Sequence, residues 1–487
     1  MSHLKSGADY NILKADLITL SLELTHEDFK KIDFLLTKEF ARGLKSTKDS
    51  TIKMYLTYVR SLPNNNERGQ YLALDLGGTN FRVLLVEFKQ DKADIVDCER
   101  RAIPAELRYG AGDLLFDFIA EHVVSFAIKH QLVGVRIALG FTFSFPLQQH
   151  GLAEAHLVTW TKSFNCSGVV GFDVVRLLKA ALKRKMHKSI PYVDVVAIIN
   201  DTTGTLIAGA VQNRNCMIGL IVGTGSNACY VEKLENVEKW PFNYSDPKQV
   251  VINTEFGAFG DNNVLDFSRT IWDRALDFES VNPGKQIYEK MISGMYLPEI
   301  FRRALLTLIE RGVLFGSRLP LELLRPYSIN TKIMSDIDQD TDTDTFLKTA
   351  EVLKQIFPRF EFTEVDVKIV FMINNRITKR AAQLVATGIW ALAKRIKQDE
   401  VAVAYDGALI SLHPYFKVWV EEKLAQFVNN NAPSKKITLI QAHDGSGYGA
   451  AIVAAVCYRE KRPKVIKKKG KVYQITSFLN NTATANK

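Results

Sequence analysis

Residues 71–88 read YLALDLGGTNFRVLLVEF, two apolar runs on either side of a pair of glycines. The first run, Tyr71–Asp75, has the length of a short buried strand, and the second, Phe81–Phe88, resumes the apolar pattern after Gly77-Gly78. Glycines between two such runs are typical of a tight turn that joins antiparallel strands. The stretch therefore predicts a β-hairpin, and residues 94–103 supply a candidate third strand beside it.

Strands and helices alternate on both sides of this hairpin. The pattern predicts helices at Leu20–Leu44, Leu114–His130 and Val174–Lys185, and strands at Gly134–Phe141, Val193–Ile199, Met217–Val222 and Ala402–Tyr405. Thr25 is the expected N-cap of the first helix. Such alternation indicates an α/β protein with parallel strand pairs. Polar, glycine-rich turns follow several of the strands, at the strand ends where open α/β sheets bind ligands.

Length and composition predict a soluble protein of more than one domain. At 487 residues the chain is too long for one compact core, so two or three domains are expected. No run of 18 apolar residues is present to span a membrane, and the N-terminus has no apolar signal core. The five cysteines are widely spaced and form no Cys-x-x-Cys pair, so neither a zinc site nor a disulfide framework is indicated. A reduced, cytoplasmic protein is expected.

The net charge of +10 is concentrated in one segment. Residues 459–471 hold eight Lys and Arg against one acid, whereas the rest of the chain has 55 basic and 52 acidic residues. A nucleic-acid-binding protein normally spreads basic residues over a folded face with stacking aromatics. We therefore expect no nucleic-acid partner and a disordered, solvated basic tail at residues 459–487, with acidic partners or anionic membrane surfaces as the alternative.

Three turns share one design, in which an acid or threonine is combined with glycines and hydroxyl residues. They are DLGGTN at 75–80, GTGSN at 223–227 and DGSGYG at 444–449. Glycine lets backbone N–H groups approach phosphate oxygens, and a following helix N-terminus adds positive potential. Any one of them alone is more often only a tight turn, and none matches the P-loop or dinucleotide patterns. Three together favour a nucleotide held between two lobes.

Seven segments resemble, in order, those of the eukaryotic hexokinases. They are LALDLGGTNFRV at 72–83, GFTFSFP at 140–146 with TWTK at 159–162, INDTTGT at 199–205, GLIVGTGSNACY at 219–230, NTEFGAFGD at 253–261, NPGKQIYEKMISGMY at 282–296 and DGSGYG at 444–449. The resemblance runs from about Leu20 to Tyr458, and its length fits the single-unit form of the family, near 50 kDa, rather than the duplicated form.

The resemblance implies a fold and an activity. The fold is the two-lobed actin-like ATPase (ribonuclease H-like) fold, α/β in class, with a hexose and ATP cleft between lobes. Residues 1–64 and 203–442 would form the large lobe, and residues 70–199 and 445–458 the small lobe. The implied enzyme is an ATP-dependent hexokinase that uses Mg²⁺ and phosphorylates the 6-hydroxyl of glucose and related hexoses, mannose and fructose included, in the first step of glycolysis. A cytoplasmic monomer without integral membrane association is expected.

The resemblance also assigns residues to roles. Asp201 would take the proton from the sugar 6-hydroxyl, and Lys162 would supply positive charge beside it. Seen alone, Asp201 reads as a helix cap and Lys162 as a solvated lysine. The hexose would be bound by Ser144, Phe145, Thr161, Lys162, Asn200, Asp201, Asn227, Asn253, Glu255 and Glu289. ATP would be bound by Asp75, Gly77, Gly78, Thr79, Asn80, Arg82, Thr224, Gly445 and Ser446, with Mg²⁺ arriving with ATP and reached from Asp75 through water.

The sequence departs from the family pattern at four positions. Ser163 replaces a glycine, Phe256 a tryptophan, Ala408 a hydroxyl residue and Pro298 a glycine. Because the expected catalytic polar residues are kept, these changes predict an active enzyme with altered affinity or selectivity.

Two alternatives belong to other functional classes. A hexose-binding sensor with altered catalysis could lose Asp201 or Lys162 freely, and neither is lost. An actin-like or chaperone-type ATPase without a sugar substrate leaves Ser144, Asn227, Glu255 and Glu289 without an explanation. The hexokinase interpretation accounts for both observations.

Overall fold

The computed structural model describes residues 6–64, 66–77, 80–89, 92–132, 136–160, 164–185, 192–244, 246–442, 444–461, 464–468 and 471–475. The chain divides into two compact units, each made of two separate stretches of sequence. Unit 1 comprises Met1–Arg60 and Gln212–Gly445, and unit 2 comprises Ser61–Val211 and Ser446–Lys487. Over the described residues, no helix is both long and apolar enough to cross a membrane.

Strands and helices alternate along much of the chain. The strands are β1 Tyr55–Leu56, β2 Gly69–Leu76, β3 Asn80–Lys89, β4 Lys92–Ala102, β5 Arg136–Phe143, β6 Leu147–Gly151, β7 Glu154–Leu157, β8 Tyr192–Ile199, β9 Cys216–Val222, β10 Ser226–Lys233, β11 Gln249–Asn253, β12 Glu400–Asp406, β13 Lys436–Gln441, β14 Lys464–Lys468 and β15 Lys471–Ile475. The helices are α1 Ser6–Thr19, α2 His26–Lys45, α3 Ala105–Tyr109, α4 Gly112–Lys129, α5 Val174–Lys185, α6 Asp201–Gln212, α7 Ile271–Glu279, α8 Ile287–Ile292, α9 Leu297–Glu310, α10 Thr331–Ile337, α11 Leu347–Ile356, α12 Glu364–Ala393, α13 Ala408–Leu412, α14 Phe416–Asn431 and α15 Gly445–Lys461.

Unit 2 is built on a five-stranded sheet in the order β4-β3-β2-β5-β8. The β2–β3 and β3–β4 pairs are antiparallel, which confirms the predicted hairpin and its third strand. The β2–β5 and β5–β8 pairs are parallel. Most of β2 and β5 is buried, as expected for central strands that are covered on both faces. The core of the unit joins these strands to apolar residues of α4 and α5, such as Phe116 and Leu178.

Helix α15 packs in unit 2 through glycines. A Cβ on Gly140 of β5 would overlap the backbone of α15, and a Cβ on Gly449 would overlap the backbone of Gly204 in α6. These overlaps involve backbone atoms, which cannot rotate aside as a side chain can. The glycines therefore let α15 lie against β5 and α6, and Thr142 Oγ1 donates to Ser446 O at 2.7 Å, which fixes the start of α15 at the end of β5.

A second hairpin, β6–β7, covers part of the edge of this sheet. The edge strand is β8, and its Ile198 donates its N–H to Leu152 O at 2.8 Å and accepts from Gln149 Nε2 at 2.9 Å. The contact satisfies backbone groups that an edge strand leaves open. The apolar pattern of the sequence does not predict this hairpin, because its two strands, LQQHG and EAHL, are largely polar.

Unit 1 holds a six-stranded sheet in the order β1-β11-β10-β9-β12-β13. Strands β9, β10 and β11 are antiparallel neighbours, and β12 lies parallel to both β9 and β13. The 30-residue helix α12 runs through the core of the unit, where its Ile373, Ile377 and Leu384 are buried. The neighbouring helices α2, α9 and α14 contribute to the same core.

The N-terminal helices differ from the expected single helix at Leu20–Leu44. Thr25 is the N-cap of α2, as predicted, and a capping box fixes it: Thr25 Oγ1 accepts from Asp28 N, and Asp28 Oδ2 accepts from Thr25 N. Leu20–Leu22 is a separate 3-10 turn between α1 and α2. A capping box starts a helix at one residue, and the apolar pattern before it belongs to another element.

Regular structure also occurs within the basic segment. The structure has strands at β14 and β15, paired antiparallel with Lys464 opposite Ile475, where the sequence analysis expects disorder. The expectation of disorder rests on the run of charged residues in this segment. Val465, Ile466 and Val472 lie between the lysines of this segment and are β-branched residues, which favour a strand.

Candidate active site

A buried carboxylate lies at the end of β2 in unit 2. Arg82, opposite Asp75 in the β2–β3 register, donates to Asp75 Oδ2 from Nε at 3.1 Å and from Nη2 at 2.6 Å. Ser446 Oγ donates to the same oxygen at 2.9 Å and accepts from Arg82 Nη2 at 3.1 Å. Three residues of the predicted nucleotide set, two from the β2–β3 hairpin and one from the start of α15, therefore form one hydrogen-bonded group, the Asp75–Arg82–Ser446 group.

The turn after Asp75 is closed by a backbone hydrogen bond from Gly77 N to Asn80 O at 3.0 Å. Asn80 is the first residue of β3, and Gly445 is the first residue of α15, next to Ser446. The first turn of a helix has N–H groups without partners inside the helix, which suits a phosphate. Gly78 and Thr79 of the predicted set lie outside the described residues.

Asn200 and Asp201 lie where β8 leads into α6. Asn200 Oδ1 accepts from Thr202 N at 2.9 Å and from Thr202 Oγ1 at 2.7 Å, and its carbonyl accepts from Gly204 N at 3.1 Å. Asn200 is therefore the residue that caps the helix. Asp201 is the first helical residue and is partly exposed, with its Oδ1 accepting from Thr202 N at 2.9 Å. The capping role considered for Asp201 thus belongs mainly to its neighbour.

Ser144 and Phe145 follow β5. Ser144 N donates to Leu76 O at 3.2 Å, which ties this residue to the end of β2. Phe145 is only 3% exposed, and its ring meets those of Trp160 and Phe164 edge-on, at centroid distances of 4.9 and 5.1 Å. The ring of Phe145 thus belongs to the core, so its contact with a ligand would be expected through the backbone.

Aromatic residues flank the segment that carries the predicted lysine. Trp160 and Phe164 stack with their ring centroids 5.3 Å apart, and Trp160 Nε1 donates to Cys166 O at 3.0 Å. The residues between the two rings are Thr161, Lys162 and Ser163, all outside the described residues. Both described flanks of this segment are therefore fixed by packing and a hydrogen bond.

In unit 1, three side chains of the predicted hexose set bind one another. Asn227 lies in β10, Asn253 ends β11, and Glu255 follows with a φ of +54°. Asn227 Nδ2 donates to Asn253 Oδ1 at 2.9 Å and to Glu255 Oε1 at 3.0 Å, and Asn253 Nδ2 donates to the same Oε1 at 2.9 Å. Asn227 Oδ1 accepts from Glu255 N at 3.1 Å. These bonds orient the amides and carboxylate of this amide–carboxylate cluster before any ligand binds.

Glu289 reaches the same part of unit 1 from α8. Its Oε2 accepts from Ser226 N, in the residue before Asn227, at 2.8 Å. A Cβ on Gly225 would lie 2.8 Å from that oxygen, and a Cβ on Gly257 would lie 3.1 Å from Glu289 Cβ. Glycines in two separate motifs therefore make room for the Glu289 side chain, although the Tyr-Glu-Lys sequence around Glu289 is typical of an exposed helix face.

Two tyrosines respond to the negative charge of these carboxylates. Burial and then the charge of Glu289 raise the pKa of Tyr296 to about 12. Burial and then the charge of Glu255 raise the pKa of Tyr55, which lies opposite Asn253 in the β1–β11 register. No local sequence pattern points to Tyr55, because only the strand pairing brings it beside Asn253.

Thr224 is exposed in the turn between β9 and β10. The turn is tied to the chain after α8, because Gly223 O accepts from Gly294 N at 2.8 Å and Thr224 O accepts from Met295 N at 3.2 Å. Thr331 Oγ1 donates to Gly294 O at 2.6 Å, so a third segment supports the turn. These hydrogen bonds fix the conformation of a second glycine-rich turn, in which Thr224 is exposed.

Three departures from the family pattern have local explanations. Phe256 is fully buried against Tyr288 at a centroid distance of 5.4 Å, and a Cβ on Gly388 would lie 2.9 Å from the Phe256 ring. Pro298 lies in the first turn of α9, where the N–H that proline lacks would have no helical partner. Ala408 is the first residue of α13, a position that needs no hydroxyl.

Comparisons with known proteins agree across both units. Two family models, each described as hexokinase, match residues 14–211 and 217–456. Hexokinase-2 from Homo sapiens is 42% identical over 448 residues, which cover 90% of this chain and 47% of that relative, so the chain spans about half its length. The structure of a Schistosoma mansoni hexokinase complexed with glucose has a TM-score of 0.82 and 37% identity, covering 93% of this chain and 100% of that one. Another hexokinase crystal structure has a TM-score of 0.81 at 28% identity, covering 92% and 100%.

Proposed function

This chain belongs to the hexokinase family, and we propose that it transfers the γ-phosphoryl group of MgATP to the 6-hydroxyl of a hexose. Glucose is the expected substrate, with mannose and fructose as further candidates, and the glucose complex of the Schistosoma mansoni relative supports this choice. We propose that residues 20–458 act as one catalytic unit and that the protein is a cytosolic monomer.

The observation that carries the proposal is the amide–carboxylate cluster of Asn227, Asn253 and Glu255, joined by bonds of 2.9 to 3.1 Å. Each hexose hydroxyl donates one hydrogen bond and accepts others, so neighbouring amides and carboxylates can satisfy it. A sugar with a misplaced hydroxyl would leave some of these groups unpaired, which gives selectivity. The alternative of an ATPase without a sugar substrate leaves this cluster without an explanation.

Asp201 is the proposed proton acceptor. As O6 of the sugar bonds to the γ-phosphorus, the bond from that phosphorus to the bridging oxygen breaks, ADP leaves, and the hydroxyl proton moves to the Asp201 carboxylate. The cap formed by Asn200 supports this role, because the Asn200 side chain caps the N-terminus of α6 in place of Asp201. Lys162 is proposed to place positive charge beside the transferring group.

The Asp75–Arg82–Ser446 group is the proposed nucleotide site of unit 2. The hydrogen bonds that the described residues make to Asp75 all fall on Oδ2, so Oδ1 can accept from a water of hydrated Mg²⁺. Backbone N–H groups near Gly77 and Gly445 are proposed to face phosphate oxygens. Thr224 is proposed as a further nucleotide-binding residue. Mg²⁺ bound with ATP would neutralise phosphate charge during the transfer.

The test is ADP release measured with glucose, mannose or fructose, for the unmodified chain and for Asp201→Ala. We expect Asp201→Ala to lose about 10²–10⁴-fold in kcat, while glucose still binds in calorimetry. Asp194→Ala is the matched control, because Asp194 lies on the same β8 and pairs with Arg136 at 2.6 Å, away from the α6 junction. That control should keep its turnover. ATP turnover that ignores added hexose, or full activity in Asp201→Ala, would overturn the proposal.

A further inference from the structure

Two histidines on the β6–β7 hairpin are in ring contact. The ring centroids of His150 and His156 are 4.8 Å apart, with the planes tilted by 58°. His150 is exposed and His156 is partly exposed. No residue in the described part of the chain forms a hydrogen bond with either ring. Two accessible imidazoles therefore lie in contact, without hydrogen-bond partners among the described residues.

Their separation fits two ligands of one metal ion. With metal–nitrogen bonds of about 2.0–2.1 Å and a ring nitrogen roughly 1.2 Å from the ring centre, each centroid lies about 3.2 Å from the ion. Two such ligands at about 90–109° place their centroids about 4.5–5.2 Å apart. The observed distance of 4.8 Å lies within this interval. The separation of the two rings is therefore compatible with their binding one ion.

The hairpin is anchored on both of its strands. Gln149 Nε2 donates to Ile198 O at 2.9 Å and Leu152 O accepts from Ile198 N at 2.8 Å, so β8 holds the turn end. Ala155 N, next to His156, donates to Asp173 Oδ1 at 3.1 Å. A pair of ligands held on an anchored hairpin loses little conformational entropy when it binds an ion.

From these observations we propose that His150 and His156 bind one divalent transition-metal ion of the class that prefers imidazole, Zn²⁺, Ni²⁺ or Cu²⁺. Among the described residues no group of three or more His, Cys, Asp or Glu could hold a metal. The protein therefore supplies two ligands and water the others, which makes the ion exchangeable. The site is separate from the magnesium that accompanies ATP, since magnesium prefers oxygen ligands. It does not depend on the proposed kinase activity.

The test is calorimetric titration of Ni²⁺ into the full, untagged chain. We expect one ion per chain, and binding at least about tenfold weaker in His150→Ala and in His156→Ala. His26→Ala is the matched control, because His26 is an exposed histidine at the start of α2 in unit 1. Circular dichroism checks that each variant is folded, and His156→Gln replaces the alanine variant if the hairpin is disturbed.

Loss of binding in both hairpin variants, with binding kept in the His26 control, supports the site. No Ni²⁺ binding by the unmodified chain would overturn it. Equal binding by the unmodified chain and the hairpin variants would also overturn it, because the ion would then be held elsewhere, for example by the exposed thiol of Cys98.

Discussion

At the level of single residues, Asn200 and Asp201 have different roles although they are neighbours. The Asn200 side chain accepts two bonds from Thr202, which satisfies the start of α6. The Asp201 carboxylate is therefore not required to cap the N-terminus of α6, and it remains partly exposed. A proton acceptor needs this combination of a fixed backbone and an accessible carboxylate.

In the amide–carboxylate cluster of unit 1, one residue likewise fixes the positions of its neighbours. Asn227 uses both its amide nitrogen and its oxygen within the cluster, and so it fixes Asn253 and Glu255 relative to each other. The left-handed φ of Glu255 costs on the order of 1 kcal/mol, and the bond from Glu255 N to Asn227 Oδ1 helps to hold it. The geometry is thus set before substrate binds.

Two buried lysines lead to opposite predictions for stability. Lys290, 3% exposed, donates to Asp277 Oδ1 at 2.7 Å and to Ser280 Oγ at 2.8 Å. Lys423, 6% exposed, lies over the Phe29 ring at 3.9 Å and has no carboxylate partner in the described part of the chain. Burial lowers the pKa of Lys423, so folding disfavours its charged form. Asp277 keeps its ion pair with Arg269 at 2.9 Å, so Lys290→Met should lose about 1–3 kcal/mol. Lys423→Met should be neutral or stabilising.

Urea unfolding followed by tryptophan fluorescence measures this difference, because four of the five tryptophans lie in unit 1 with both lysines. The two variants serve as controls for each other, since each replaces a buried lysine by methionine. Equal losses in the two would show that the partner carboxylate does not decide the effect.

At the level of elements, close contacts at glycines decide how the helices pack. Alanine in place of glycine inside a helix normally gains about 1 kcal/mol. At Gly388 of α12 the added Cβ would lie 2.9 Å from the fully buried ring of Phe256, and at Gly43 of α2 it would overlap the carbonyl of Ile52. Overpacking of this kind costs about 1–3 kcal/mol. We expect Gly388→Ala to be destabilised and Gly43→Ala more so, because a backbone carbonyl cannot rotate away.

The same urea unfolding checks the order of the two variants. Phe256→Leu in the Gly388→Ala background should recover part of the loss, because the smaller side chain frees the space. A Gly388→Ala variant that is more stable than the unmodified chain would mean that helix propensity outweighs the contact.

At the level of the whole molecule, each unit has its own sheet and its own apolar core. The predicted set is divided between them, with Asp201 and the Asp75–Arg82–Ser446 group in unit 2 and the amide–carboxylate cluster in unit 1. Loss of either part is therefore expected to abolish sugar phosphorylation, even where the other unit stays folded.

Glucose should stabilise the protein by mass action. At about 100 times its dissociation constant, it should add about 2.7 kcal/mol to the free energy of unfolding. Glu255→Gln removes a charged acceptor that is worth about 1.5–3 kcal/mol, so most of the glucose effect should vanish in thermal unfolding at the same sugar concentration. Asp194→Ala, the control, should keep it. A full glucose effect in Glu255→Gln would contradict the assignment of the cluster to hexose binding.

Local features of this protein could be read from its sequence. The β2–β3 hairpin, the Thr25 cap and the run of strands and helices follow from apolar spacing and capping residues that lie within a few positions of each other. The ordered motifs also identified the family. Such signals come from residues that are close together in the chain, so they can be recognised without knowledge of the fold.

The remaining features depend on residues that are distant in sequence. The contact of Glu289 with Ser226, the bond from Ser446 to Asp75 and the pairing of Tyr55 with Asn253 each join segments that no local pattern connects. The sequence alone determined which side chains are present, in what order, and which short elements they form. The tertiary structure decided which of them meet, because strand register and glycine contacts bring together atoms that the chain keeps apart.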